Sequence, residues 1–248
     1  MNIDMKSYIT TLSNKDIELL EKIRKYLAHK IKLPNLGFYE SLTDEELWFK
    51  IVIQFCVMGG TRMIDNLKDT EKYSEFKKAI ELNKLLLIEK KDRLNNIDDI
   101  LTNFKATRFH PQQAKKLVEI LDKPEILHGG RIALLDGLSQ AQPFNEVRDK
   151  LIARNPHFKL KSASDFMIDV GLSHDVVALD TRIVNILKKY FDLNVGLSKV
   201  QGERKVYISI EQALRQACKK ISISLAQLDR MFFNYTGKNA ISFIIEDL

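Results

Sequence analysis

Residues 156–187 read PHFKLKSASDFMIDVGLSHDVVALDTRIVNIL, and this stretch decides the predicted fold. Its apolar residues recur at helical spacing on both sides of a connection that begins at Gly171, so it predicts a helix, a loop and a second helix. Lys161 lies at the start of the first helix and Asp180 at the start of the second. A lysine becomes a nucleophile only where its surroundings favour the neutral amine, and an aspartate nearby can stabilise a developing cation. Because 29% of the residues are charged, the pair alone does not define a site, and its sequence context decides.

The rest of the chain is also predicted to be helical. It holds only 10 glycines and 5 prolines among 248 residues, while leucine, isoleucine, lysine and glutamate are plentiful. A capping-box pattern at residues 43–46 begins an apolar run that closes at residues 59–60. We expect helices over residues 126–138 and 144–154, and an extended segment only at 206–210. The sequence therefore predicts an all-α protein with little or no sheet.

Charge and cysteine content restrict the classes of partner and cofactor. The net charge of +6 and the pI near 9.1 favour a polyanionic partner such as nucleic acid, although a lysine-rich proteome gives the same balance. Cys56 and Cys218 are the only cysteines, so a four-cysteine zinc or iron–sulfur site is excluded and a disulfide framework is not indicated. The absence of a leader pattern and of an apolar run near 18 residues predicts no membrane association. We expect the protein in the cytoplasm or nucleoid of a prokaryote.

Residues 155–187 resemble the helix-hairpin-helix and aspartate-loop region of the base-excision DNA glycosylases, the superfamily of endonuclease III and 8-oxoguanine DNA glycosylase. Members carry a hairpin of the form Leu-Pro-Gly-hydrophobic-Gly-x-Lys, then an apolar helix and a loop ending in Val-Asp-Thr or a similar triplet. Here residues 155–161, NPHFKLK, match the hairpin, and residues 177–182, VALDTR, match the aspartate loop. At lower specificity the similarity extends over residues 41–240. The resemblance implies two helical subdomains with a DNA-binding cleft between them, which we place at residues 41–168 and at 1–40 plus 169–248.

The chain departs from the superfamily pattern in two places. His157 and Lys159 stand where members have the hairpin glycines that let backbone amides approach a DNA phosphate, often beside a monovalent cation. The four-cysteine iron–sulfur loop of endonuclease III is missing as well, which indicates the 8-oxoguanine branch. The resemblance therefore implies no required cofactor and no iron–sulfur cluster, with a monovalent cation at the hairpin as the one ion to expect.

The resemblance assigns a role to each member of the lysine–aspartate pair. Lys161 is the expected nucleophile, which forms a Schiff base with the sugar of a flipped-out nucleotide, and Asp180 is expected to stabilise positive charge on that sugar. Lys159 is the rival nucleophile if the hairpin alignment shifts by two residues. A lysine at this place implies a bifunctional glycosylase and AP lyase for an oxidised purine, 8-oxoguanine first.

The partner implied by the resemblance is double-stranded DNA that contains a damaged base, bound by a monomer. Charge and placement suggest further DNA contacts, which are His157, Lys159, Arg182, Gln54, Arg108 and Lys115. Two other readings stay open: a glycosylase for oxidised pyrimidines or alkylated bases, and a non-catalytic helix-hairpin-helix DNA-binding protein.

Overall fold

The computed structural model describes residues 11–191, 193 and 195–234, and this part of the chain is mainly helical. Two short 3-10 helices lie at Ala28–Lys30 and Phe38–Ser41. None of the described helices combines the length and apolar character that a membrane crossing requires. The α-helices are α1 Asn14–Leu27, α2 Asp44–Cys56, α3 Arg62–Lys68, α4 Lys72–Ala79, α5 Leu82–Leu87, α6 Lys90–Asn103, α7 His110–Leu121, α8 Phe144–Arg154, α9 Leu160–Asp169, α10 Thr181–Tyr190, α11 Leu197–Gly202, α12 Arg204–Lys220 and α13 Leu225–Asn234.

The chain divides into two compact units. The central unit is the continuous stretch Gly37–Phe158, and the terminal unit combines Met1–Leu36 with Lys159–Leu248. The domain boundaries expected from the sequence, at 40/41 and 168/169, stay a prediction. Residues 1–10, 192, 194 and 235–248 of the second predicted domain lie outside the described part. In the observed division, Lys161 and Asp180 belong to the same unit.

The core of the terminal unit is formed by helices from both ends of the chain. From α1 it takes Leu20, Ile23 and Leu27, which are fully or almost fully buried. They share one apolar cluster with residues of α10, α12 and α13. Phe191 and Phe232 belong to this cluster, and their ring centroids lie 5.9 Å apart. Helix α1 therefore completes a core that the last third of the chain builds.

The central unit contains α2, which is apolar on most of its surface and is therefore suited to a core position. The predicted capping box is confirmed: the Thr43 hydroxyl accepts from the Glu46 main-chain N–H, and the Glu46 carboxylate accepts from the Thr43 N–H. Trp48 is fully buried, and its indole N–H donates to the Ile80 carbonyl at 2.8 Å. Because that polar atom is satisfied, the ring lies in the core without an unpaired donor.

The helix predicted over residues 126–138 is wrong. That segment contains a short hairpin in which β1 Leu127–His128 pairs antiparallel with β2 Arg131–Ile132. Gly129 and Gly130 form the turn with φ of +60° and +83°. Paired positive φ values are the signature of a two-residue hairpin turn, and glycine adopts them without strain. The glycine pair outweighed the helical spacing of the flanking apolar residues.

The segment 206–210, predicted as extended, is also different: it is helical and lies in α12. Val206 and Tyr207 favour strands by propensity, but both are buried in the terminal unit. Burial of a helical face outweighs intrinsic preferences that amount to about 1 kcal/mol or less per residue. The prediction of an all-α protein is confirmed, since the described strands are confined to the hairpin at 127–132.

Replacing Gly59 by alanine is expected to lower the free energy of unfolding by about 2–4 kcal/mol. Gly59 has φ of +90°, and an added Cβ would lie 2.4 Å from Cε2 of Phe109. The cost therefore combines backbone strain with a steric clash. Urea denaturation of Gly59→Ala in the wild-type and Phe109→Ala backgrounds separates the two, because removing the ring leaves only the strain of about 1–2 kcal/mol. Equal costs in both backgrounds would contradict the clash.

Candidate active site

The segment before Asp180 is held by side chains instead of by a neighbouring strand. The Tyr207 hydroxyl donates to the Val177 carbonyl and accepts from the Leu179 N–H at 3.3 Å. Between these residues, the Ala178 N–H donates to Oδ2 of Asp229 at 2.6 Å. Buried main-chain groups need such partners, so α12 and α13 fix the path of this segment. They thereby fix the point at which α10 begins.

Asp180 is the N-cap of α10. Its Oδ1 accepts from the Ile183 N–H at 2.9 Å, which satisfies one of the free amides at the helix start. Burial raises the pKa of the Asp180 carboxyl, while the Ile183 hydrogen bond and then the charges of Lys161 and Arg182 act to lower it. The charge of Lys161 therefore acts on the carboxyl of Asp180.

Lys161 is the second residue of α9 and is partly covered. Its Nζ lies 3.3 Å from Oδ2 of Asp165, one helical turn later, and its side chain is 26% exposed. Lys159 caps the same helix through its main chain, whose N–H donates to Oγ of Ser162 at 2.9 Å, while its side chain is exposed. The amine of Lys161 therefore has a carboxylate partner that fixes its position, whereas the side chain of Lys159 is exposed.

The turn predicted as the hairpin, residues 155–159, joins α8 to α9. The Asn155 carbonyl accepts from the Phe158 N–H at 2.9 Å, and its side-chain oxygen accepts from the His157 N–H at 3.1 Å. Among the described non-glycine residues, positive φ values occur at Lys105 and Ser222, which lie outside this turn. Because Asn155 closes the turn in the ordinary backbone region, His157 and Lys159 can stand where the superfamily has glycines.

Two of the predicted DNA contacts are packed within the central unit. Gln54 is buried in α2. Nε2 of His157 lies 2.8 Å from Oε2 of Glu119, and its ring centroid lies 5.8 Å from that of Phe55. A side chain held by such neighbours is less available to a phosphate than an exposed one. Their DNA contacts stay predictions.

Three other predicted contacts keep a cation near the surface. The Arg108 guanidinium lies 4.6 Å from the ring centroid of Phe109, and both residues are exposed. Lys115 is exposed on α7. The Arg182 guanidinium lies 4.3 Å from the ring centroid of Phe233. The Arg108 guanidinium also donates to the Gly59 carbonyl, and the Arg182 guanidinium donates to the Phe233 carbonyl at 3.4 Å. These three residues remain predicted DNA contacts.

Sequence reasoning missed a cluster of charges next to Lys161. It consists of Asp165, Asp169, Asp229 and Arg230, and Arg230 donates to all three carboxylates. The spacing of Lys161 and Asp165, four residues apart in a predicted helix, was an available signal. The contact between Asp165 and Arg230 spans 65 positions along the chain, so no local pattern could show it.

The described residues contain no group of three or more His, Cys, Asp or Glu side chains suited to hold a metal ion. Cys56 and Cys218 are both buried, and burial raises the pKa of each thiol to about 12. Neither is therefore a reactive thiolate at neutral pH.

An all-helical fold with a partly covered lysine that acts electrostatically on an aspartate N-cap is the arrangement expected of helix-hairpin-helix DNA glycosylases. Comparison with known proteins gives the family. The family model for 8-oxoguanine DNA glycosylase matches residues 37–223, more than half of the chain, and the chain belongs to this family.

Individual relatives agree with the family assignment. A curated 8-oxoguanine DNA glycosylase/AP lyase of Fusobacterium nucleatum is 26% identical over 145 residues, covering 55% of this chain and 65% of the relative. The matched part therefore spans slightly less than two thirds of that relative.

Solved structures show the same fold. The 8-oxoguanine glycosylase/lyase of Methanocaldococcus jannaschii, in complex with a 15mer DNA containing 8-oxoguanine, has a TM-score of 0.61 at 18% identity. That match covers 90% of this chain and 98% of the other. The 8-oxoguanine DNA glycosylase of Thermotoga maritima has a TM-score of 0.59 at 20% identity, with 92% and 96% covered.

Proposed function

We propose that the protein is a bifunctional 8-oxoguanine DNA glycosylase and AP lyase that acts on duplex DNA. The observation that carries the proposal is the placement of Lys161 where its charge acts on Asp180, in a chain of this family. The names of the Fusobacterium and Methanocaldococcus relatives, which specify both activities, support it. A pure DNA-binding protein would have no need of a lysine amine whose charge acts on a half-buried aspartate.

The first step removes the base. The damaged nucleotide leaves the stack, since its sugar cannot be reached inside the duplex. The neutral amine of Lys161 attacks C1′, so that the Nζ–C1′ bond forms as the glycosidic C1′–N9 bond breaks. The electron pair of the broken bond leaves with the purine, which takes up a proton, while the nitrogen of Lys161 releases one.

The second step cuts the strand. Opening of the sugar ring places a proton on O4′ and leaves a protonated Schiff base between Lys161 and C1′. This cation makes the C2′ proton acidic. Loss of that proton expels the 3′ phosphate as the C3′–O3′ bond breaks. Hydrolysis of the remaining imine returns the free amine of Lys161.

Asp180 supplies a negative charge where the sugar becomes positive. Its position as the cap of α10 fixes the carboxylate before the reaction starts, so little reorganisation is needed during the reaction. Burial, which raises the pKa of this carboxyl, also lowers the local dielectric and strengthens its interaction with a cation. Its role is electrostatic stabilisation, with transfer of a proton as a further possibility of the same carboxylate.

The remaining parts of the proposal concern partner, cofactor and location. We infer that the substrate is double-stranded DNA with a damaged base, bound by a monomer through cations that include Lys159, Arg182, Arg108 and Lys115. No cofactor and no iron–sulfur cluster enters the proposed reaction, and a monovalent cation at residues 155–159 stays a prediction. The proposed location is the cytoplasm or nucleoid of a prokaryote.

Borohydride trapping on a panel of lesion duplexes tests the function. Among the damaged bases, we expect wild-type protein to form the covalent adduct fastest with 8-oxoguanine opposite cytosine, because the family and the curated relative are named for that purine. The panel includes thymine glycol, an alkylated purine, a preformed abasic site and undamaged DNA, and the adduct is quantified on denaturing gels. A faster adduct with thymine glycol or the alkylated purine changes the substrate class, whereas the abasic site needs no base removal and tests the lyase step alone. Tight binding without any adduct would support the non-catalytic DNA-binding protein.

A further inference from the structure

Arg230 in α13 is a nearly covered cation surrounded by carboxylates. Its Nη1 donates to Oδ1 of Asp165 at 2.9 Å and to Oδ1 of Asp229 at 2.8 Å, and its Nη2 donates to Oδ1 of Asp169 at 2.7 Å. Its side chain is 14% exposed. A guanidinium is planar and keeps its charge, so it can hold several acceptors at fixed angles. This one fixes three carboxylates that come from two helices.

One of these carboxylates connects Arg230 to Lys161. Oδ1 of Asp165 accepts from Arg230, and Oδ2 accepts from Nζ of Lys161. The two cations therefore share the Asp165 carboxylate. Burial would raise the pKa of the Asp165 carboxyl, but the charges of Lys161 and Arg230 and their hydrogen bonds lower it to about 2. Asp165 is therefore ionised at neutral pH and is a poor proton acceptor. What it can do is hold the amine in place.

A second carboxylate connects Arg230 to the main chain beside Asp180. Oδ1 of Asp229 accepts from Arg230, and Oδ2 accepts from the Ala178 N–H. The Asp229 side chain is 1% exposed. The Ala178 carbonyl in turn accepts from the Asp180 N–H at 2.6 Å. Two hydrogen bonds thus connect Arg230 to the Ala178 N–H, and a third connects the Ala178 carbonyl to the Asp180 N–H.

We propose that Arg230 is a positioning residue for both reacting groups, holding the Lys161 amine through Asp165 and the Asp180 main chain through Asp229. This inference rests on the function proposed above. A single planar cation then sets the distance between nucleophile and carboxylate, on which a reaction at C1′ depends steeply.

The first test replaces Arg230 by lysine in the full chain. Lysine keeps the positive charge, but as a point charge it cannot hold the three acceptors in one plane. We expect the single-turnover rate constant on an 8-oxoguanine:cytosine duplex to fall about 10- to 100-fold. The DNA concentration that gives half the maximal rate should change by less than about threefold, because the substrate-binding surface is unaltered. A merely structural role would not separate the two constants in this way.

The second test measures the pH dependence of adduct formation in Asp165→Asn. Asparagine can still accept from Arg230, but it removes the negative charge next to Lys161. We expect the rising limb of the pH–rate profile to move to lower pH and the maximal rate to fall, and Asp165→Glu to restore the profile in part. Asp175→Asn is the matched control, because Asp175 is an exposed carboxylate that accepts from Arg215 at 2.8 Å. Its profile should coincide with that of the wild type.

The outcomes separate this inference from the proposed function. Wild-type protein that forms no adduct with either an abasic or an 8-oxoguanine duplex overturns the function itself. A normal wild-type adduct together with unchanged rates and profiles in Arg230→Lys and Asp165→Asn overturns only the positioning role. Thermal melting of each variant checks its fold. If neither variant keeps a cooperative transition, the cluster is structural and the positioning role is likewise overturned.

Discussion

Replacing Lys161 by glutamine is expected to abolish the borohydride-trapped adduct with an 8-oxoguanine duplex. Glutamine has no nucleophilic amine, so neither the bond to C1′ nor the Schiff base can form. Its amide can still donate to Asp165, which keeps the fold of α9 and leaves Arg230 with its partner. We therefore expect lesion DNA to bind with an affinity within about threefold of the wild type, since a ligand contact and a reacting group are separable. Adduct is measured on denaturing gels, and binding by fluorescence anisotropy.

Lys159→Gln is the matched control for this experiment. It removes a lysine from the same turn, two residues earlier, whose side chain is exposed. We expect the adduct to persist, with DNA affinity weakened and its salt dependence reduced by about one phosphate contact. An adduct that survives Lys161→Gln and disappears in Lys159→Gln would show that the hairpin alignment is shifted by two residues.

Replacing Asp180 by asparagine is expected to lower the rate of adduct formation about 10²- to 10³-fold. Asparagine is as good an N-cap as aspartate, so it keeps the hydrogen bond to the Ile183 N–H while it removes the charge. Asp180→Ala removes both, and should cost about 1 kcal/mol of stability in addition. The comparison of Asp180→Asn with Asp180→Ala therefore separates electrostatic stabilisation from helix capping. Single-turnover rates and urea denaturation measure the two effects.

The pH profile provides a second check on Asp180. Because burial raises the pKa of its carboxyl, the carboxylate is lost at a higher pH than that of an ordinary aspartate as the solution is acidified. The wild-type rate should fall on this acid limb, and the part of the fall due to Asp180 should be absent in Asp180→Asn. Asp175→Asn is the control, since Asp175 is exposed in the same connection and bonds to Arg215 at 2.8 Å. A loss of rate in Asp175→Asn equal to that in Asp180→Asn would contradict the assigned role.

The parts of this molecule that local patterns determine could be predicted from the sequence. The Thr43–Glu46 capping box and the first residue of α10 follow from short-range hydrogen bonding between side chain and main chain. The Lys161–Asp180 pair was predicted through a motif, and its catalytic role stays a prediction.

What escaped prediction depends on contacts between distant positions or on one glycine pair. The hairpin at 127–132 looked helical because its apolar residues have helical spacing, and only the paired positive φ values of the glycines decide otherwise. Arg230 appeared as one basic residue among many. Its proposed role as a positioning residue depends on the packing of α9 against α13, which a sequence does not show.

The terminal unit, built from both ends of the chain, has a consequence for synthesis on the ribosome. The central unit is a continuous stretch, Gly37–Phe158, and can form its core as soon as it has emerged. Helix α1 emerges earlier but must wait for α10, α12 and α13, whose residues complete its apolar cluster. Arg230 follows Lys161 in the chain and lies in α13, so Lys161 gains this partner network only after α13 has emerged. A nascent chain therefore carries its amine long before it carries an assembled site.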